Sequence, residues 1–450
     1  MTSSDAAEPS LELLDSLIRA AQDAGADAAD AVLISSMSLS LAQRLGQPES
    51  LERAESTDVG LRVLIGQHQA IVSTSDLRTD ALDQIVAQSV AMAKSVPEDP
   101  YCGIAEPNQI LTSPPDLDMC DPTDVSPDTL KEWARNAEEA ARAVPGVTNS
   151  EGAEASWSRS RITLMASNGF AQSYERGRVG LSASVIAGEG TNMERDYDYS
   201  SAVYAEDLQT PEDIGRSAGE KAVKRLNPRK MPTAQVPVVY DPRAGGSIIG
   251  HLASAINGPS VARGTTFLKE SLNQRLFPEN IQITDDPQRR RGLGSRPFDG
   301  EGIAAERINL IDQGVLTTWL LDLRSARQLG LQTNGRAARG ISSPPSPSTT
   351  NLYLEAGEQS PAELIADIKS GFYVTELIGM GVNTVTGDYS RGAGGFWIEN
   401  GEIAFAVSEV TIAGNLKDMF ASLSAANDLE FRYGTNVPTL RIEGMTIAGQ

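Results

Sequence analysis

The sequence predicts an α+β protein, with a helix-and-hairpin N-terminal region built on an antiparallel sheet and a mostly β C-terminal domain. Three observations carry this expectation. Apolar residues recur at helical spacing behind cap residues, and Asn-Gly dipeptides separate paired runs of strand-forming residues. Strands and helices also mix without regular βαβ alternation.

In chain order, Ser10 precedes a stripe of Leu14, Leu17, Ile18 and Ala21, and Gly25 follows as a stop. Val59 to Ile65 and Gln69 to Ser73 flank a Gly66-Gln67 turn, and Thr79 opens a second stripe at Leu82, Ile85, Val86, Val90 and Ala93. Ser126-Pro127 is an N-cap followed by a first-turn proline, with Leu130, Trp133, Ala137 and Ala141 behind it. Arg161 to Met165 and Ala171 to Tyr174 flank Asn168-Gly169. Thr210-Pro211 starts a helix that ends before Pro228. In the C-terminal half, Gly245 to Ile256 reads as a buried or half-buried helix, and Ile308 to Leu321 as a hairpin. Ser342 to Ser348 reads as a surface loop. Ser360 and Glu363 form a capping box, and Asn400-Gly401 joins a last hairpin. The expected division is an N-terminal α+β domain over 1–232, with a sub-boundary near 100–125 in a Pro-rich stretch, and a β-rich domain over 233–450.

Composition narrows the function. Lys and Arg number 38 against 60 Asp and Glu, a formal charge of −22, which argues against nucleic-acid binding because phosphate contacts need clustered positive charge. The one basic run, Arg289-Arg290-Arg291, is short and reads as a solvated loop. No run approaches the length needed to span a bilayer, and Met1 to Ser10 shows no signal peptide, so a cytoplasmic protein is expected. Cys102 and Cys120, with no Cys-x-x-Cys pair, read as incidental reduced thiols. Only two histidines occur, His68 and His251, whereas most metal hydrolases and Ser-His or Cys-His enzymes depend on imidazole. His68 reads as an exposed turn residue. Ser247 lies four residues before His251, one helical turn away, with no recognisable third triad member.

A long stretch is similar to a known family. Glu363 to Val374, Gly387-Asp388-Tyr389-Ser390-Arg391-Gly392-Ala393-Gly394-Gly395 through Ile403, Val407 to Leu416 and Pro438 to Ile442 resemble the peptidases called TldD and PmbA (TldE), once named modulators of DNA gyrase. Glu52 to Glu55 and Gly60 to Val63 fit its N-terminal hairpin, and Gly-Asp-Tyr-Ser-Arg-Gly resembles the PmbA/TldE branch. In the TldD branch a His-Glu-x-x-x-His motif and a downstream cysteine are understood to hold zinc, with the glutamate as general base. The corresponding stretch here is His251 to Ile256, with Leu252 at the base position and Ile256 at the second ligand position. The shorter Gly434 to Pro438 stands where the cysteine-bearing loop would be.

The resemblance implies a non-catalytic TldE/PmbA-type subunit that binds no cofactor itself, has no catalytic residue and no metal site of its own. A TldD-type partner supplies the zinc, and small unfolded peptides are the substrate. Gly387, Asp388, Tyr389, Ser390 and Arg391 are the candidates for lining a peptide cleft or a subunit contact; a homodimer is the alternative assembly when the chain is alone. Two other readings stay open: a regulatory or inhibitor-type binding protein acting on a larger enzyme, and a stand-alone hydrolase with an unrecognised serine or carboxylate site. No nucleic-acid or membrane partner is expected.

Overall fold

A computed structural model of the chain describes residues 8–449; the reading of the first residues as lacking a leader falls largely outside them. The first helix, α1 (Glu8–Asp23), begins before Ser10 and stops at Gly25, whose φ of +103° only glycine adopts easily. Then come strands β1 (Ala28–Arg44), β2 (Gln47–Ile65) and β3 (His68–Thr74), and helices α2 (Thr79–Ala93) and α3 (Pro127–Arg142). Strands β4 (Val147–Ala166), β5 (Ala171–Ala187) and β6 (Glu194–Ala202) precede α4 (Pro211–Lys224). The six strands form one antiparallel sheet in the order β3-β2-β1-β4-β5-β6.

The caps behave as their residues dictate. Ser126 accepts the Thr129 N–H and Thr210 the Asp213 N–H. Thr79 instead lies inside α2, whose N-cap Arg78 makes no side-chain cap bond. One sheet face carries two apolar clusters. Leu14, Leu17 and Ile18 of α1 and Ile85 and Val86 of α2 pack on Leu33, Leu61 and Val63. Leu130 and Ala134 of α3 and Ile214 and Ala218 of α4 pack on Trp157, Val179 and Leu181. His68 is not an exposed turn residue: it opens β3, half-buried, with Nδ1 2.8 Å from the Val96 carbonyl.

The C-terminal half is built around a closed five-stranded barrel. Its strands are β7 (Ala234–Tyr240), β8 (Ser370–Ile378), β9 (Asp388–Glu399), β10 (Glu402–Asn415) and β11 (Leu440–Ala448). The ring runs β10-β9-β8-β7-β11 and returns to β10 through Thr411 to Ala413 paired with Thr446 to Ala448. Only β7 and β8 pair in parallel. Helix α5 (Pro242–Ala255) follows β7 directly, and a small five-stranded sheet containing Ile283–Asp285 and Leu352–Leu354 lies against it. Barrel, helix and small sheet share one core that includes Val238, Ile248, Leu252, Ile283, Phe372 and Ile442.

Buried charge ties the halves together. Asp196 on β6 takes Arg243 Nη1 at 2.8 Å, and Arg225 bridges it to Glu376 on β8. Asp30 on β1 holds both Arg62 and Arg339. The basic run is a bracket more than a free loop, for Arg291 pairs with Asp118, Glu206 and Asp207. No helix among the described residues is long and apolar enough to cross a membrane.

Candidate functional site

Asp241 begins the site. Its side chain accepts the Arg243 N–H at 2.9 Å and Pro242 fills the first helical turn, so α5 starts directly at the end of β7. The helix turns Ala244, Gly245, Ile248, Ile249, Leu252 and Ala255 into the core. Its other face is small: a Cβ added to Gly250 would meet nothing within 4 Å. Ser247 donates to the Ala244 carbonyl at 2.8 Å, so its hydroxyl is engaged by its own helix and makes no hydrogen bond to His251.

His251 is half-buried, with its ring edge-on to Tyr389 at 6.0 Å between centroids. Its Nε2 is buried and makes no hydrogen bond. Burial, and secondly the charge of Arg391, lower its pKa, so the imidazole is neutral at pH 7. Leu252 and Ile256 have no exposed surface and belong to the main core. Neither can present a metal donor beside His251. The Gly434 to Pro438 segment does approach α5: a Cβ on Gly246 would come within 3.3 Å of the Thr435 carbonyl. It carries no thiol. Among the described residues, no three His, Cys, Asp or Glu side chains are grouped so as to hold a metal ion. One imidazole beside two aliphatic side chains does not fit zinc, which takes three or four protein donors.

The glycine-rich segment enters β9 beside this helix. Gly387 takes φ +84° and donates to the Asn383 carbonyl, closing a turn from which Asp388 starts the strand. Thr386 donates to the Asp388 carboxyl at 2.6 Å and Asn415 at 3.2 Å, holding it below the usual carboxylate range. Ser390 is exposed and its N–H reaches the Gly381 carbonyl. Tyr389 and Arg391 occupy one face of the strand together with Ala393, and Tyr389 and Ala393 lie in the core. Of the five candidates, these two converge on His251; Gly387 and Asp388 shape the turn, and Ser390 faces away.

Sequence reasoning missed Tyr240. This residue, fully buried at the end of β7, donates to Met445 Sδ at 3.4 Å, and burial together with neighbouring Tyr389 pushes its pKa up. A buried tyrosine before a helix cap reads as core, and no local spacing marks it. The two cysteines lie elsewhere as thiols, their pKa values raised chiefly by burial; Cys120 packs on Gly177 of β5.

Comparison with known proteins agrees with this architecture. Residues 29–93, 120–226 and 233–449 match the first, central and C-terminal domain models of the PmbA/TldA metallopeptidases. The chain is 38% identical over 426 residues to metalloprotease PmbA of Escherichia coli, covering 94% of this chain and 93% of that one. It is 36% identical over 434 residues to a PmbA homologue of Haemophilus influenzae, covering 96% and 94%. The crystal structure of a proposed modulator of DNA gyrase from Bacteroides thetaiotaomicron superposes with a TM-score of 0.90 at 28% identity, covering 98% of both chains. TldE from Thermococcus kodakarensis shares the fold, with a TM-score of 0.87 at 21% identity over 97% of this chain and 100% of that one. Matched in three consecutive segments and along nearly its whole length, the chain belongs to the PmbA/TldD metallopeptidase family.

Proposed function

We propose that this chain is the non-catalytic, TldE/PmbA-type subunit of a heteromeric peptidase in which a TldD-type partner carries zinc and the general base. The reading rests on one observation: Leu252 and Ile256, which the resemblance sets at the base and second-ligand positions, are both withdrawn completely into the core. A leucine cannot accept a proton, and a single neutral imidazole does not hold a divalent cation against water. The chain keeps the family's barrel and α5 while lacking the donor set. Its contribution is then to bind: it shapes part of a cleft for small unfolded peptides and completes the enclosure around the partner's metal. An extended peptide bound through its backbone would give the broad sequence tolerance such substrates need.

Purifying the chain alone and together with a TldD-type protein tests this. Zinc and chelator-sensitive peptide cleavage are expected only in the mixed preparation, with the two chains eluting as one species. Stoichiometric zinc, or chelator-sensitive cleavage, in the isolated chain would overturn the proposal.

A further inference from the structure

The cluster beside α5 contains three polar groups that the chain leaves wholly or largely unsatisfied. His251 Nε2 and Arg391 Nε are buried and without a hydrogen-bond partner, and buried Tyr389 Oη has only the neighbouring Tyr240 hydroxyl, beyond good hydrogen-bond geometry. Buried polar atoms are nearly always paired, so such a group at one place calls for a cause. Arg391 is the decisive member. Other arginines among the described residues also bury an Nε that makes no well-aligned hydrogen bond, namely Arg159, Arg296, Arg336, Arg339 and Arg432, and of these Arg336 Nε still lies 2.6 Å from the Asp285 carboxylate. Each of those five gives other guanidinium N–H groups to a carbonyl or carboxylate. The Arg391 guanidinium makes no hydrogen bond or ion pair with any described residue, in a chain where acids outnumber bases by 60 to 38.

The surroundings define what would fit. The guanidinium charge reaches His251, Tyr389 and Tyr240 alike, depressing the histidine further and partly offsetting the effect of burial on the two phenols. A planar cation with a phenol hydroxyl and an imidazole nitrogen beside it matches an anion with two acceptor oxygens. Space exists on the helix side, where Gly250 is open. The rim on this strand face is apolar: Leu377, paired across the strands with Ala393, and Val382, paired with Tyr389, are both half-buried. An isolated inorganic anion would not use such a rim, whereas the side chains of a peptide would.

We infer that Arg391, Tyr389 and His251 form a receptor for a peptide carboxylate, with Arg391 as the charge partner and Leu377 and Val382 flanking the adjacent apolar side chain. This deepens the peptide-binding role proposed above and depends on it, by naming the chemical group this subunit grips. It requires no metal and no bond-breaking step in this chain.

The test uses the full chain and three fluorescein-tagged alanine–leucine hexapeptides: one with a free C-terminal carboxylate, one with a C-terminal amide, and an amidated one carrying a single internal glutamate. Anisotropy should show the free acid binding about tenfold or more tightly than the plain amide, the scale of one charge-assisted contact. Arg391→Gln should erase that preference, Arg391→Lys should keep part of it, and Tyr389→Phe should reduce it several-fold, with unchanged melting temperatures reporting intact folds. Tight binding of the glutamate peptide would identify side-chain carboxylates as ligands too. Equal binding of acid and amide to the unmodified chain, or a preference that survives Arg391→Gln, would overturn the inference. So would loss of assembly with a TldD-type partner in Arg391→Gln with the peptide preference intact, since the carboxylate would then belong to the partner. A chain that fails to join any partner yet retains the Arg391-dependent preference would sink the subunit proposal alone.

Discussion

Leu252 is the single side chain on which the proposed loss of a metal site can be tested. It has no exposed surface and packs with Ile248, Ile249 and Ile256 in the main core. Introducing an acid by Leu252→Glu would place a carboxylate among aliphatic groups with no cation within the cluster to pair it. Such a group either ionises at a large desolvation cost or stays protonated with its hydrogen-bonding capacity unmet. The expected outcome is a loss of about 3 kcal/mol or more of stability, read as a fall in urea midpoint, and no gain in zinc binding. A variant that kept full stability and took up zinc would show that the side chain at 252 can reach a metal held by His251. At this scale the scarcity of imidazole was legible, because two histidines cannot supply three imidazoles wherever the chain folds. The cluster of Tyr240, Tyr389 and Arg391 was legible only in part. Tyr389 and Arg391 lie in the recognisable glycine-rich stretch, but their meeting with His251 joins residues 138 and more positions apart and has no local sign.

The elements were readable where local chemistry alone decides them. Ser126, Thr210 and Ser360 cap their helices through the bonds their residue types offer, and Asn168-Gly169 and Asn400-Gly401 turn between paired strands. Strand β1 escaped although its second half alternates strictly, with Met37, Leu39 and Leu41 on the core face between Ser36, Ser38 and Ser40; its serine content masks the alternation as loop composition. The hairpin expected over Ile308 to Leu321 is shorter than its composition suggests: pairing stops after Leu316, and Thr317 returns its hydroxyl to the Asn309 carbonyl. Barrel strand β9 carries a constraint that spacing cannot reveal. A Cβ at Gly395 would run into the Tyr373 carbonyl of β8, at the irregularity between Ala393 and Gly395 where the register shifts. Gly395→Ala should therefore strain the β8–β9 pairing at a cost of about 1–3 kcal/mol, seen as a lower melting temperature with the N-terminal sheet unaffected. An unchanged melting temperature would mean the two strands separate there more readily than the packing implies.

For the whole molecule, barrel closure and the joint between halves depend on partners far apart in sequence, which explains why neither was readable beforehand. β7 pairs with β8 more than 130 residues later, and the ring closes only through the last strand. The joint depends most on Asp196, which is 3% exposed and lies between Arg243 and Arg225. Burial alone would raise its carboxyl; the hydrogen bond and charge of Arg243, assisted by Arg225, outweigh burial and hold it below the usual range. A carboxylate depressed on folding contributes its stability in full above its unfolded pKa of about 4, and that contribution is lost as pH falls through the folded value. Asp196→Asn removes the charge and leaves Arg243 buried without its carboxylate, while Arg225 keeps Glu194 and Glu376. The variant should lose about 3 kcal/mol at pH 7, and the difference from the unmodified chain should shrink steadily as the pH is lowered below about 4. Urea midpoints at pH 7 and pH 3.5 measure both terms. A deficit that stayed constant with pH would assign the effect to lost packing instead of lost charge. The joint would then be held by shape, with the arginines bonded chiefly to the Tyr197 and Thr375 carbonyls that Arg243 also reaches.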